Sequence, residues 1–236
     1  MRPARAAERP RTGQQLAGVL FDFGGTLDGT LPWKERMFRL LRAEGVEVTP
    51  HRFDPLFYAA DDALVGTIPD TLSLAETVRR LVAGLGAALD LSDELVARIA
   101  RRFVEDTTGC VRSNLALLSE LARRYDLGIV SNFYGNLARV CEDVGLRPLF
   151  GVIVDSAAVG WTKPDPRIFT HALASLGLQS DAATFVGDSL PRDMAGARGI
   201  GMAHIWLAGE GTQQTRPCCP DDRVIRSLGE LRGLLL

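Results

Sequence analysis

Histidine is scarce in this 236-residue chain, with 3 copies, so a histidine-rich metal centre is not expected. Cysteine is nearly as sparse. Its 4 copies, at positions 110, 141, 218 and 219, form no CxxC pair. A disulfide framework is therefore not implied, and a reducing cytoplasm is the expected setting. A basic surplus is missing too: 27 Lys and Arg face 29 Asp and Glu, for a net charge of −2. That balance speaks against a general electrostatic grip on nucleic acid. No stretch approaches the roughly 20 apolar residues that span a bilayer, so no membrane partner is expected. The first 15 residues carry Arg2, Arg5, Arg9 and Arg11 without the apolar run of a secretory signal. They read as a disordered basic tail over 1–15.

What is present is enough apolar material for a real core: 46% of residues are hydrophobic and 24% charged, the balance of a soluble globular protein. Short apolar runs alternate with helical periodicities. Leu16–Phe21, Leu127–Val130, Gly151–Val154, Thr184–Val186 and Ala203–Trp206 read as strands. Leu115–Tyr125, Asn136–Val144, Pro166–Leu176 and Arg192–Arg198 read as helices. Strand and helix alternating at this spacing predict an α/β fold, a Rossmann-like parallel sheet with helices on both faces. Ligands in such sheets bind beyond the carboxyl ends of the strands. One connection is too long. Asp22 and Ser131 lie 109 positions apart, whereas a crossover with its helix needs about 30. The excess shows helical patterns at Trp33–Ala43, Leu74–Leu85 and Asp93–Phe103. The expected organisation is an α/β core over 16–30 and 110–236, with a helical inserted domain over 31–109 that overhangs the sheet's ligand-binding edge.

Several strand ends carry reactive side chains. Asp22 follows the first strand, with Gly24, Gly25 and Gly29 close behind. Alone, an Asp there is ordinarily a turn residue. Ser131-Asn132 follows the second strand and is ordinarily an N-cap, although a hydroxyl beside helix-terminal N–H groups also suits a phosphate. Lys163 precedes Pro164, which restricts its backbone to an extended form and so aims the ammonium. Asp188 and Asp193 follow the fourth strand, each fit for a turn or a helix's first turn. Three carboxylates, a lysine and a serine at the strand ends of one sheet are hard to explain as independent caps.

Together these segments resemble the haloacid dehalogenase-like hydrolase superfamily, in the branch with a helical cap between its first and second motifs. FDFGGTLD is similar to the first motif, which normally reads D-x-D-G-T, IVSN to the second, TKPDPRIF to the third and VGDSLPRDMAGARGIG to the fourth. The resemblance covers nearly the whole chain after the tail. It implies Asp22 as nucleophile, and Ser131, the Asn132 backbone and Lys163 as holders of the transferring phosphoryl oxygens. It also implies Mg²⁺ bound by Asp22, the main-chain carbonyl of Gly24 and Asp188, with Asp193 nearby. The implied partner is a small phosphorylated metabolite. Mg²⁺ suits an oxygen-rich site that supplies few protein ligands, and phosphoryl transfer needs mainly positioning and charge stabilisation.

The sequence departs from the family's phosphatases at Gly24, where they carry a second Asp that protonates the leaving oxygen and then activates water. Such help is worth about 10²–10⁴-fold. The implied enzyme therefore favours good leaving groups, and the competing reading is a phosphate-binding protein without turnover. Asp28 is read as a turn or tether residue, with a replacement acid as its alternative. Retention of Asp188 and Asp193 argues against the metal-free haloacid branch. Lys34, the single lysine of the inserted segment, sits at its entry, a poor match to the Schiff-base lysine of the phosphonate branch. Trp33, Phe38, Phe53, Phe57 and Tyr58 are read as the core of the inserted segment, with Trp33, Lys34 and Arg36 as the alternative candidates for reaching a substrate. His51, His171 and His204, and the Cys218-Cys219 pair, are read as structural or inert.

Overall fold

The computed structural model describes residues 15–209 and 222–236. The basic tail up to residue 14 and Cys218-Cys219 lie outside them. Six parallel strands form one sheet in the order β3-β2-β1-β4-β5-β6. They are β1 (Gly18–Phe21), β2 (Asp126–Ser131), β3 (Val152–Asp155), β4 (Ala183–Gly187), β5 (Ala203–Leu207) and β6 (Arg223–Ile225). β1 pairs with both β2 and β4, setting Phe21 beside Ile129 and Val186. Asp22 extends the second pairing by donating its N–H to the Val186 carbonyl at 2.9 Å. The strand ends that carry chemistry thus adjoin across the centre of the sheet.

Alternation along the strands builds a core on each face. Val19, Phe21 and Ile129 face one core, shared with Leu117 and Leu121, while Leu20, Val130 and Phe185 face the other, shared with Ile168 and Phe169. In the second core the Phe169 and Phe185 rings meet edge to face at 5.2 Å.

Between β1 and β2 the chain makes one wide turn, Phe23–Leu27, and four helices: α1 (Trp33–Ala43), α2 (Pro50–Asp62), α3 (Leu74–Leu89) and α4 (Asp93–Leu121). Thr49, Ser73 and Ser92 cap the last three, each side-chain oxygen accepting a backbone N–H three residues on, the usual remedy for orphan amides at a helix start. Five short helices follow: α5 (Leu137–Asp143), α6 (Ser156–Val159), α7 (Pro166–Leu176), α8 (Ala195–Gly199) and α9 (Leu231–Leu235). Among the described residues, no helix is long and apolar enough to cross a membrane.

Three expectations need correction. Asp93–Phe103 and Leu115–Tyr125 are not two helices but parts of α4, a continuous 29-residue helix, and the boundary expected at 109/110 falls inside it. Gly109 meets no atom within 4 Å of its Cβ position, so it costs the helix propensity without breaking it. α2 is a helix that the sequence patterns above do not include, and it carries Pro50 and Pro55. Pro50 occupies the first turn, where its missing N–H has no helical partner to lose. β6 is only three residues long, too short for strand alternation to show.

Candidate active site

Asp22, Ser131, Asn132, Lys163, Asp188 and Asp193 converge at the carboxyl ends of β1, β2 and β4, with Gly24 beside them. One Asp22 carboxylate oxygen, Oδ1, collects three donors: the Phe23 N–H at 2.8 Å, the Ser131 hydroxyl at 2.7 Å and the Lys163 ammonium at 2.7 Å. The other oxygen, Oδ2, takes none of these contacts. Lys163 also pairs with Asp193 Oδ1 at 2.7 Å and is buried, at 4% exposure. An ammonium has three protons, so two ion pairs leave it one. Burial works against the Lys163 charge, but Asp193 and Asp22 outweigh it and hold its pKa above the ordinary lysine value.

The aim of Lys163 depends on Asn132. The Asn132 amide grips the Lys163 backbone at both ends: its oxygen accepts the Lys163 N–H at 2.7 Å, and its nitrogen donates to the Lys163 carbonyl at 3.2 Å. The Asn132 side chain is thereby committed to positioning Lys163. Asp155, at the end of β3, does similar work. Its oxygens accept from the N–H groups of Gly135, Leu137 and Ala157, shaping the loop after Ser131. Sequence reading passed over Asp155, although its place directly after a strand, the signal used for Asp22, would have found it.

Asp22, Asp188 and Asp193 form a cluster whose ligand oxygens lie within 4.8 Å of one another. Burial first, then the charges of Asp22 and Asp193, push the Asp188 pKa well above the ordinary carboxylate value. Burial likewise raises Asp193, opposed by Lys163. Asp193 Oδ2 accepts the Ser189 N–H at 3.0 Å, and the Trp206 indole donates to the Asp188 carbonyl at 2.9 Å. Two glycines make room for this crowding. A Cβ on Gly187 would stand 2.5 Å from Asp193 Oδ2, and one on Gly25, at φ +81°, 2.6 Å from Asp188 Oδ2. Asp188 Oδ1 is buried with no hydrogen-bond partner among the described residues. Three carboxylates facing one ammonium, with an orphaned oxygen, fit a hard divalent cation that prefers oxygen ligands.

Asp28 is fully engaged. Its Oδ1 accepts the Gly25 N–H at 2.8 Å, and its Oδ2 accepts the Trp33 indole N–H at 2.5 Å and the Arg36 guanidinium at 2.8 Å. Arg36 also donates to the Asp28 carbonyl at 2.7 Å. This buried knot ties the turn after β1 to α1, so Asp28 is the tether and not a free acid. Arg36 is spent on the tether and does not reach the cavity, whereas Trp33 and Lys34 line it.

That cavity, about 580 Å³, opens above Asp22. The strand ends floor it, and α1 and α2 roof it through Trp33, Lys34, Phe57 and Tyr58. Gly24 lies between floor and roof with an ordinary backbone, φ −72° and ψ 120°. A Cβ there would stand 3.5 Å from the Trp33 ring.

Residues 16–201 match the family of haloacid dehalogenase-like hydrolases. The chain belongs to that family. Among curated relatives, haloacid dehalogenase-like hydrolase domain-containing protein 3 of Bos taurus is 44% identical over 87 residues, covering 37% of this chain and 35% of the relative. Phosphoserine phosphatase of Thermus thermophilus is 34% identical over 123 residues, covering 51% of this chain and 48% of the relative. The matched stretch thus spans about a third to a half of these relatives' length. A haloacid dehalogenase-like phosphatase from Thermococcus onnurineus shares the fold, with a TM-score of 0.59 at 23% identity over 93% of this chain and 97% of the other.

Proposed function

We propose that this hydrolase is a Mg²⁺-dependent phosphatase of small phosphate monoesters, working through an aspartyl phosphate on Asp22. The observation that carries the reading is the Asp22 carboxylate, pinned through Oδ1 by three donors at the floor of a cavity. Such pinning leaves Oδ2 as the attacking atom. Oδ2 forms a bond to phosphorus while the ester P–O bond breaks, and the alcohol oxygen departs with the electron pair and takes a proton from water. A water molecule then attacks the same phosphorus, cleaves the Oδ2–P bond and returns the carboxylate with inorganic phosphate. The Asn132 N–H and the remaining Lys163 proton hold the transferring oxygens, and Ser131 joins them when its one hydroxyl proton turns from Asp22 to the phosphoryl group. Asp22, Asp188, Asp193 and the Gly24 carbonyl are the groups that would hold Mg²⁺, which when bound offsets the carboxylate charge and stabilises the charge of the phosphoryl group. The helical segment over the site serves as its cap. The phosphatase among the relatives supports the phosphate side of this reading.

With Gly24 carrying no acid and Asp28 held by Trp33 and Arg36, departure of the leaving group goes unassisted. Turnover then depends steeply on leaving-group acidity, and acyl and aryl phosphates outrun alkyl ones. The same two observations favour a second reading, a phosphate-binding protein without turnover. Phosphate release from a panel of monoesters with Mg²⁺ separates them. Release abolished by Asp22→Asn supports the phosphatase. Ligand binding without release supports the second reading.

A further inference from the structure

We propose that the cavity above Asp22 selects phosphate monoesters whose alcohol is flat and aromatic, with Trp33 as the specificity-determining side chain. The inference rests on the phosphatase reading for the position of the phosphate, and adds what the rest of the substrate must be.

Aromatic residues are 7% of the chain, yet five of them line this one cavity: Trp33, Phe57, Tyr58, Phe133 and Tyr134. Trp33 stands over Gly24, at the edge of the floor. Its edge stands 3.5 Å from where a Gly24 Cβ would be, and both residues line the cavity. A side chain at 24 would cover that edge, and glycine leaves it open to the substrate. The ring is also fixed. Asp28 holds its N–H at 2.5 Å, and Phe103 and Phe133 meet it edge to face at 5.0 and 5.5 Å. A fixed ring loses little freedom when a second ring packs against it, and offset or edge contacts between rings add to simple area burial.

Two of the roof's polar groups are held by neighbours: Lys34 pairs with Asp54 at 2.9 Å, and Asp61 accepts the Tyr134 hydroxyl at 2.5 Å. Asp62 and Arg192 also line the cavity, at its exposed rim. A polyol would have to break the first two contacts to be recognised by Lys34 or Asp61, and an aromatic ring would not. Tyr58 and Val65, 52% and 43% exposed, line the same cavity and place apolar surface at its mouth, where a solvent-facing roof would otherwise be polar.

Calorimetric titration of the full chain with Mg²⁺ present tests this on probes that carry a C–P bond in place of the ester oxygen. Phenylphosphonate should bind at least tenfold more tightly than 2,3-dihydroxypropylphosphonate, and Trp33→Leu should reduce that preference several-fold. Tyr58→Ser, at an exposed position, should reduce it by less, and it serves as the variant should Trp33→Leu fail to fold. Equal affinities for the two phosphonates, or no binding of phenylphosphonate at millimolar concentration, would overturn the proposal. Hydrolysis is read separately. Release from phenyl phosphate and hexafluoroisopropyl phosphate, whose alcohols are of similar acidity, should favour the phenyl ester at least tenfold in kcat/KM. Equal values, with release still dependent on Asp22, overturn the aromatic preference and leave the phosphatase reading intact. Absence of release with a tenfold phosphonate preference does the reverse.

Discussion

The floor of the cavity keeps three carboxylates and one ammonium within reach of each other, while the roof, which meets the floor where Trp33 stands over Gly24, is built mainly of rings. The floor is under electrostatic load: Asp188 and Asp193 are both pushed up by burial, and Lys163 opposes both, joined by Arg192 at Asp188 and by the Ser189 N–H at Asp193. In the roof, burial raises the Asp61 pKa, opposed by the Tyr134 hydroxyl that it accepts, and the buried ion pair of Asp28 with Arg36 belongs to the joint with the floor. The denser charge thus lies at the floor and the denser aromatic surface at the roof.

Cutting the joint should have the largest effect. Asp28→Ala leaves Arg36 buried and unpaired and frees the Trp33 N–H, and breaking such a pair costs about 3–5 kcal/mol. Chemical denaturation should show that loss, and a change below about 1 kcal/mol would mean that floor and roof are joined elsewhere. Next comes the floor's cation. Lys163→Met should lower turnover by about 10²–10³-fold, the usual cost of removing one donor from developing charge, with phosphate release as the readout. If the floor's load is relieved by metal, Mg²⁺ at a hundred times its Kd should stabilise the protein by about 2.7 kcal/mol. Thermal melting should show the gain in the parent and its loss in Asp188→Asn.

Restoring an acid gives a smaller effect. The backbone at Gly24 accepts any residue, so Gly24→Asp should fold. Because the Trp33 edge limits where the new carboxyl can go, alkyl-ester turnover should rise about tenfold, short of the 10²–10⁴ of a well-placed acid. No rise would show that the indole holds the carboxyl away from the leaving oxygen. The smallest effect lies away from both regions. Hydrogen bonds from the Arg167 side chain and then its N–H lower the Asp165 pKa to about 2. A folded pKa below the unfolded value of about 3.9 adds stability above that value, lost as pH falls through about 2. Asp165→Ala should therefore melt slightly lower than the parent at neutral pH, with the gap closing below pH 2.

The floor was legible in the sequence and the roof much less so. Asp22, Ser131 and Asp188 follow short apolar runs, which parallel strands must bring to one edge, and Lys163 and Asp193 lie several residues beyond such runs, so the five could be grouped from the sequence. α1 and α7 show their bounds through Pro-led starts and clean 3.6-residue periodicity. The roof's geometry depends on contacts between distant turns. No spacing rule indicates that Trp33 donates to Asp28, or that the Asn132 amide grips the backbone of Lys163, 31 positions on. α4 was read as two helices because Thr107, Thr108 and Gly109 are weak helix formers, and packing against α3 and the sheet overrode their local preference.

The continuity of α4 has a mechanical consequence. At about 1.5 Å per residue, its 29 residues make a rod of roughly 40 Å. One end, at Leu117–Leu121, is bedded in the sheet's core, and Phe103 further along touches Trp33. The helical layer is therefore linked to the sheet on one side by a stiff lever and on the other by the short turn through Phe23–Leu27. A tilt of a few degrees at the bedded end is multiplied along the rod, so substitutions at Leu117 or Leu121, buried in the sheet's core, would alter the leverage that sets the height of Trp33 above the strand ends.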